Sequence, residues 1–102
     1  MIIKNQLINN NLYIELIGEL DECTAKYTKD SLDKILLDYK YNSVIFELSK
    51  LDFMDSTGIG VLLGRYKKLQ GINKNIYICN PKSTTEKIFR MSGIYEIMPK
   101  IS

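Results

Sequence analysis

Histidine is absent from this 102-residue chain, and so is tryptophan. Without histidine there is no Ser-His-Asp triad, no Cys-His pair and no histidine-containing zinc site. The two cysteines, Cys23 and Cys79, are too few for a four-thiolate metal site or a secreted disulfide scaffold. They form no Cys-x-x-Cys and read as ordinary semi-buried residues. Only two prolines occur, Pro81 and Pro99, and no linker, repeat or low-complexity tract interrupts the chain. No apolar run approaches the roughly 18 residues of a membrane helix, and the opening Met1-Ile2-Ile3-Lys4-Asn5-Gln6 has no signal-peptide character. An excess of one charge is missing as well: 14 Lys and Arg against 12 Asp and Glu leave +2, which is no nucleic-acid footprint. These absences point to a cytoplasmic protein with neither membrane nor nucleic acid as its partner, and they imply no cofactor or metal.

What remains is the composition of an ordinary soluble domain, 45% hydrophobic and 25% charged. Residues 1–102 fit a single domain, and a chain of this size buries roughly 60–70% of its unfolded surface. The charge is unevenly spread: residues 1–50 carry 6 basic and 8 acidic side chains, residues 51–102 carry 8 and 4. A solvated surface accounts for such a gradient, and an oriented protein contact is compatible with it.

Ile2 to Ile8 and Leu12 to Ile17 read as strands joined by Asn9-Asn10-Asn11, a connection suited to a tight hairpin because asparagine tolerates left-handed backbone. In the second strand Leu12, Ile14 and Leu16 share one face, with Tyr13, Glu15 and Ile17 on the other. Gly18-Glu19-Leu20-Asp21 breaks that alternation. From about Glu22 to Tyr39 the period turns helical, with Ala25, Leu32, Ile35, Leu36 and Tyr39 on one stripe. Ser43 to Leu48 reads as a buried strand, 49–55 as a loop, and Ser56 to Leu69 as a second helix carrying Ile59, Leu62, Leu63, Tyr66 and Leu69 inward. Gly71 is placed as its stop. Asn75 to Cys79 makes a fourth strand, and Pro81 suits the first turn of a third helix reaching Met91 and stopped by Gly93. The tail from Ile94 to Ser102 reads as a short extended piece.

This order predicts an α/β fold: an initial hairpin, then βαβ units, giving a mixed β-sheet packed against α-helices. The loops at Gly18–Asp21 and Asp52–Ser56 both follow a strand and precede a helix. If those strands are parallel, both loops emerge at the carboxyl end of the sheet, where partners and ligands of open α/β sheets bind.

The second of these loops carries the most distinctive stretch, Phe53-Met54-Asp55-Ser56-Thr57-Gly58-Ile59-Gly60. Asp55, Ser56 and Thr57 are all good helix N-caps, and capping alone accounts for such a cluster. Ser56 is equally placed to be a phosphoacceptor, because a phosphate there would face the positive end of the helix dipole, worth roughly 0.3–1 kcal/mol. It would bring about −1.5 to −2 charges to the surface. Gly58-Ile59-Gly60 lacks the third glycine of a dinucleotide fingerprint, and no P-loop Gly-Lys-Ser/Thr is present. Asp55-Ser56-Thr57-Gly58 is a residue too long for the aspartic-protease pattern. Gly60 and Gly64 are read as sites of close helix–sheet packing.

Gly18-Glu19-Leu20-Asp21, the stretch from Phe53 to Lys67, and Phe89-Arg90-Met91-Ser92-Gly93-Ile94 together resemble the STAS domain of bacterial anti-sigma factor antagonists, closest to the stage II sporulation type. The resemblance implies the STAS fold and a partner-switching function. The unphosphorylated antagonist binds an anti-sigma factor that is also an ATP-dependent serine kinase, and so frees a sigma factor. Phosphorylation of the motif serine, here Ser56, dissociates the pair, and a PP2C-type phosphatase restores it. Asp21 matches the family's aspartate beside the phosphoacceptor, although a cap for the first helix explains it equally well. On this reading Gly18, Glu19, Asp21, Asp55, Ser56, Thr57, Gly58, Ile59 and Gly60 form the partner-binding surface, and Asp55 shapes the turn. The chain departs from the sporulation antagonists in having Glu22-Cys23 where they carry histidines, and in showing no amphipathic segment after Pro99 for their last helix. Two other readings stay open: a stress-response antagonist or another STAS signalling module, and a small domain binding an anion or nucleotide through the turn's amides. An enzyme fits poorly, since Ser56 has no histidine to activate it.

Overall fold

Asn9 and Asn10 turn the chain back on itself with φ of 50° and 67°, both in the left-handed region that asparagine tolerates. In the computed structural model, which describes residues 1–102, this two-residue turn joins β1 (Ile2–Ile8) to β2 (Asn11–Leu20) as an antiparallel hairpin. There follow α1 (Ala25–Asp38), β3 (Ser43–Glu47), β4 (Leu51–Met54), α2 (Ser56–Gln70), β5 (Asn75–Cys79) and α3 (Ser83–Ser92), then a 3₁₀ turn at Ile94–Glu96. The sheet order is β1-β2-β3-β5, with β4 also alongside β2; every pairing after the hairpin is parallel. The expected mixed sheet of hairpin and βαβ units is therefore present.

The alternation in β2 sorts as its sequence requires. Leu12, Ile14 and Leu16 are fully buried, together with Val44 and Phe46 of β3 and Ile76 and Ile78 of β5. Leu32 of α1, Ile59, Leu62 and Leu69 of α2 and Phe89 of α3 complete this core from the helical side. Tyr13, Glu15 and Ile17 on the other face are only half buried. No helix is long and apolar enough to cross a membrane.

Five local expectations are corrected. Residues 51–54 are a strand, not part of a loop: β2 does not end at Ile17 but bulges at Gly18, φ +117°, and runs on to Leu20. The added residues pair with β4, whose buried positions Leu51 and Met54 are three apart and so leave no period of two to read. The helix expected from Glu22 begins at Ala25, because residues 21–24 are consumed by a hydrogen-bonded turn, and Tyr39 lies beyond its end, exposed. Gly71 does follow the last residue of α2 as expected, although in right-handed conformation at φ −62°; the left-handed residue beyond it is Asn73, φ 58°. Pro81 precedes α3 by two residues, whereas Gly93, φ 72°, does stop that helix. A Cβ at Gly60 or Gly64 would meet nothing within 4 Å, so neither allows close packing; the tight position is Gly58. The tail is extended only from Pro99 onward, where Ile78 N–H donates to the Pro99 carbonyl and Ile101 N–H to the Ile78 carbonyl, laying the segment along the outer side of β5.

Candidate functional site

The parallel pairing of β2 and β4 brings the two strand–helix turns side by side. Gly18 is registered with Leu51, Glu19 with Phe53 and Leu20 with Met54. The ladder ends with the Asp55 N–H donating to the Leu20 carbonyl at 3.3 Å. Asp21 and Asp55 thus leave adjacent strand ends, at the carboxyl edge of the sheet.

Each turn has its own internal support. Asp55 Oδ1 accepts from the Gly58 amide at 3.0 Å and is the N-cap of α2. Ser56 is the first helical residue, exposed, and its hydroxyl is not the cap. The amides of Ser56 and Thr57 belong to the unpaired donors of a first helical turn. Gly58 is obligatory here: a Cβ would lie 2.8 Å from the Leu20 carbonyl oxygen and 2.7 Å from Met54 Cγ. The first turn of α2 therefore rests directly on β2, and the Ser56–Thr57 surface is held rigidly above it. In the neighbouring turn Asp21 Oδ1 accepts from the Cys23 and Thr24 amides, while the Thr24 hydroxyl donates to the Glu19 carbonyl at 2.8 Å. Asp21 thus braces the turn before α1, although it is not the cap of that helix: the N-cap position is Thr24.

Of the expected partner-facing residues, Glu19, Ser56, Thr57 and Gly60 are exposed and Gly18, Asp21 and Asp55 half-buried. Gly58 and Ile59 are buried and offer a partner no side chain; they fix the turn from beneath. Two contributors, Phe53 and Asp52, escaped the sequence reading because β4 was taken as loop. Phe53 on β4 is 48% exposed immediately before the turn. Asp52 forms an ion pair with Lys82, and its carbonyl accepts from the Thr84 hydroxyl at 3.2 Å, which fastens the start of α3 to β4. The two turns and β4 thus carry four carboxylates, Glu19, Asp21, Asp52 and Asp55, beside the exposed Ser56; Asp52 is paired with Lys82, and Asp21 and Asp55 accept backbone amides. The hollows in the molecule lie elsewhere, on the open sheet face near Tyr13 and Glu47 and at the far pole around Leu36, Tyr41 and Ile72.

Comparison with known proteins agrees with this architecture. The STAS domain family matches residues 3–102. The chain belongs to the STAS family. This STAS domain is 33% identical to the anti-sigma F factor antagonist of Paenibacillus polymyxa over 88 residues, 86% of this chain and 75% of that protein. It is 30% identical to the anti-sigma-B factor antagonist of Staphylococcus epidermidis, covering 83% of this chain and 78% of that protein. Among solved structures it resembles the anti-sigma factor antagonist SpoIIAA in its unphosphorylated form, with a TM-score of 0.79 at 26% identity, covering 99% of this chain and 89% of the other. SpoIIAA in the phosphorylated form gives a TM-score of 0.70, covering 99% and 92%.

Proposed function

We propose that this STAS domain is an anti-sigma factor antagonist acting in the cytoplasm as one folded unit, by binding and not by catalysis, with Ser56 as its switch. The observation that carries this reading is the division of labour at the turn: Asp55 does the capping, so the Ser56 hydroxyl stands exposed and uncommitted. The relatives in both sigma-F and sigma-B circuits are antagonists by name, and SpoIIAA is described in two phosphorylation forms. The unphosphorylated turn docks on an anti-sigma factor that is also a serine kinase, releasing the sigma factor. In the complex the γ-phosphoryl group of ATP passes to Ser56 Oγ; the bond to ADP breaks, and the hydroxyl proton goes to a base on the kinase. A PP2C-type phosphatase returns the hydroxyl by hydrolysis to inorganic phosphate.

A phosphate on Ser56 adds about −1.5 to −2 charges, and the helix dipole keeps it compatible with the fold. Binding is lost on phosphorylation when the partner's face against Ser56 is acidic or packs too closely to leave the phosphate solvated; either costs several kcal/mol, and each 1.4 kcal/mol is about tenfold in affinity. The higher identity to the sigma-F antagonist favours a sporulation circuit; the sigma-B relatives support a stress-response circuit as the second reading. The test is a titration of unmodified and enzymatically phosphorylated protein against the anti-sigma factors of the source genome. Tight binding by the first and loss by the second is expected, and the anti-sigma factor that binds identifies the circuit. Equal affinity of the two forms would exclude Ser56 as the switch. Stabilisation by nucleotide or phosphate without any protein would favour the ligand-binding reading instead.

A further inference from the structure

We propose that β1 is a self-complementary edge through which two copies of this chain pair, antiparallel and centred on Asn5. The two sides of the sheet are treated differently. The outer side of β5 is covered over Ile78–Asn80 by the segment Pro99–Ser102. The outer side of β1 is covered by nothing, although β1 runs seven residues without a bulge or proline. Such an edge is a template for another strand. It is also apolar at both ends, with Ile2 58%, Leu7 43% and Ile8 41% exposed.

The sequence of β1 indicates what fits it. Ile2-Ile3-Lys4-Asn5-Gln6-Leu7-Ile8 is a palindrome in polarity, two apolar residues, three polar, two apolar. Two copies related by a two-fold axis at Asn5 place Ile2 opposite Ile8, Ile3 opposite Leu7, Lys4 opposite Gln6 and Asn5 opposite its own counterpart. Apolar then meets apolar, and no like charges are directly opposed, the self-matching an isologous interface requires.

The backbone agrees with the same axis. In a two-residue hairpin the closing pair, here Ile8 and Asn11, exchanges both hydrogen bonds, and bonded pairs alternate from there. Gln6, Lys4 and Ile2 therefore also direct their N–H and C=O groups to β2. Ile3, Asn5 and Leu7 direct theirs outward. An Asn5-centred pairing makes these outward residues its hydrogen-bonded pairs, so side-chain matching and backbone register select the same axis. Because β4 lies on the other side of β2, the serine turn stays free in the pair.

The test uses the full chain and position 6, an exposed residue registered opposite Tyr13 of β2. Sedimentation equilibrium of the wild type should show a concentration-dependent dimer. Gln6→Lys sets two lysines against each other at both symmetric sites and should weaken the dimer about tenfold; Gln6→Glu sets a carboxylate against each lysine and should strengthen it by a similar factor. Circular dichroism confirms that both variants remain folded. In a Cys23→Ser background, Asn5→Cys should oxidise to a disulfide dimer, since hydrogen-bonded antiparallel pairs hold Cα atoms about 5.5 Å apart, within disulfide reach. A monomer at all concentrations would overturn the proposal. A dimer indifferent to position 6, or one in which Asn5→Cys does not cross-link, would overturn it equally.

Discussion

The Leu20 carbonyl oxygen sits 2.8 Å from where a side chain at Gly58 would begin. That single approach seats α2 on β2 and fixes how far the serine turn stands from the sheet. Because the obstructing atom is backbone, it has nowhere to go. Gly58→Ala is therefore expected to cost about 1–3 kcal/mol by overpacking, despite the better helix propensity of alanine. Gly60→Ala meets open space and should instead gain up to about 1 kcal/mol. Urea unfolding of the two variants separates them, and Gly60→Ala should at the same time weaken anti-sigma factor binding, since that glycine lies on the exposed side of the turn.

Asp55 and Ser56 are adjacent, but only Asp55 caps the helix; the Ser56 hydroxyl is left free for the proposed switch. Asp55→Ala removes the acceptor of the Gly58 amide and should lose about 1 kcal/mol of stability. Ser56→Ala should leave stability within about 0.5 kcal/mol while abolishing phosphorylation and keeping the binding-competent state. Ser56→Asp supplies one negative charge where phosphate supplies nearly two, so its affinity should fall between those of the unmodified and phosphorylated proteins. A large stability loss in Ser56→Ala would mean that serine, not aspartate, holds the helix start.

Arg65 joins α2 to α1 from a buried position, its side chain only 5% exposed, with Nε 3.0 Å from Asp33 Oδ1. The contact is ionic without an aligned hydrogen bond, and Nη1 has no partner. Removing the carboxylate strands a buried charge and leaves the exposed Lys68, which shares the same oxygen, unpaired beside it, so Asp33→Ala should cost about 3–5 kcal/mol. Arg65→Met removes charge and orphaned donor together and should cost less. Thermal unfolding of both variants and the double variant measures the coupling.

Tyr95 is the residue for an alkaline experiment. Burial first, then the nearby Glu86 carboxylate, hold its hydroxyl protonated and push the pKa up to about 12 from the ordinary 10.0. A group whose pKa rises on folding contributes stability that is whole below its unfolded value and lost as the pH climbs through the folded one. This contribution therefore disappears between about pH 10 and 12. Tyrosinate absorbance should show a late step near pH 12 that Tyr95→Phe eliminates, together with part of the alkaline destabilisation.

Much of this was readable beforehand because period and face are local properties. Leu12, Ile14 and Leu16 announce a half-buried strand, and Gly93 announces a helix end by needing a left-handed backbone. The failures share a cause. Whether 51–54 is strand or loop depends on the bulge at Gly18, more than thirty residues away, which alone lets β2 reach a second partner. Gly58 was indistinguishable from Gly60 and Gly64 as a letter; only the Leu20 carbonyl beneath it separates them. Which of three neighbouring cap formers does the capping likewise depends on where β4 ends. Ser56 could be singled out in the sequence, but its freedom from structural duty could not.

The segment Pro99–Ser102 along β5 also bears on how large an assembly can grow. A sheet with two bare rims can recruit copies end on end and lengthen into a fibre. Here one rim is occupied by the chain's own backbone over Ile78–Asn80, and the other is spent when two β1 strands meet about a dyad. In the proposed pair, the segment Pro99–Ser102 blocks strand addition along Ile78–Asn80, so that stretch of the second rim cannot hand the pairing on to a further copy.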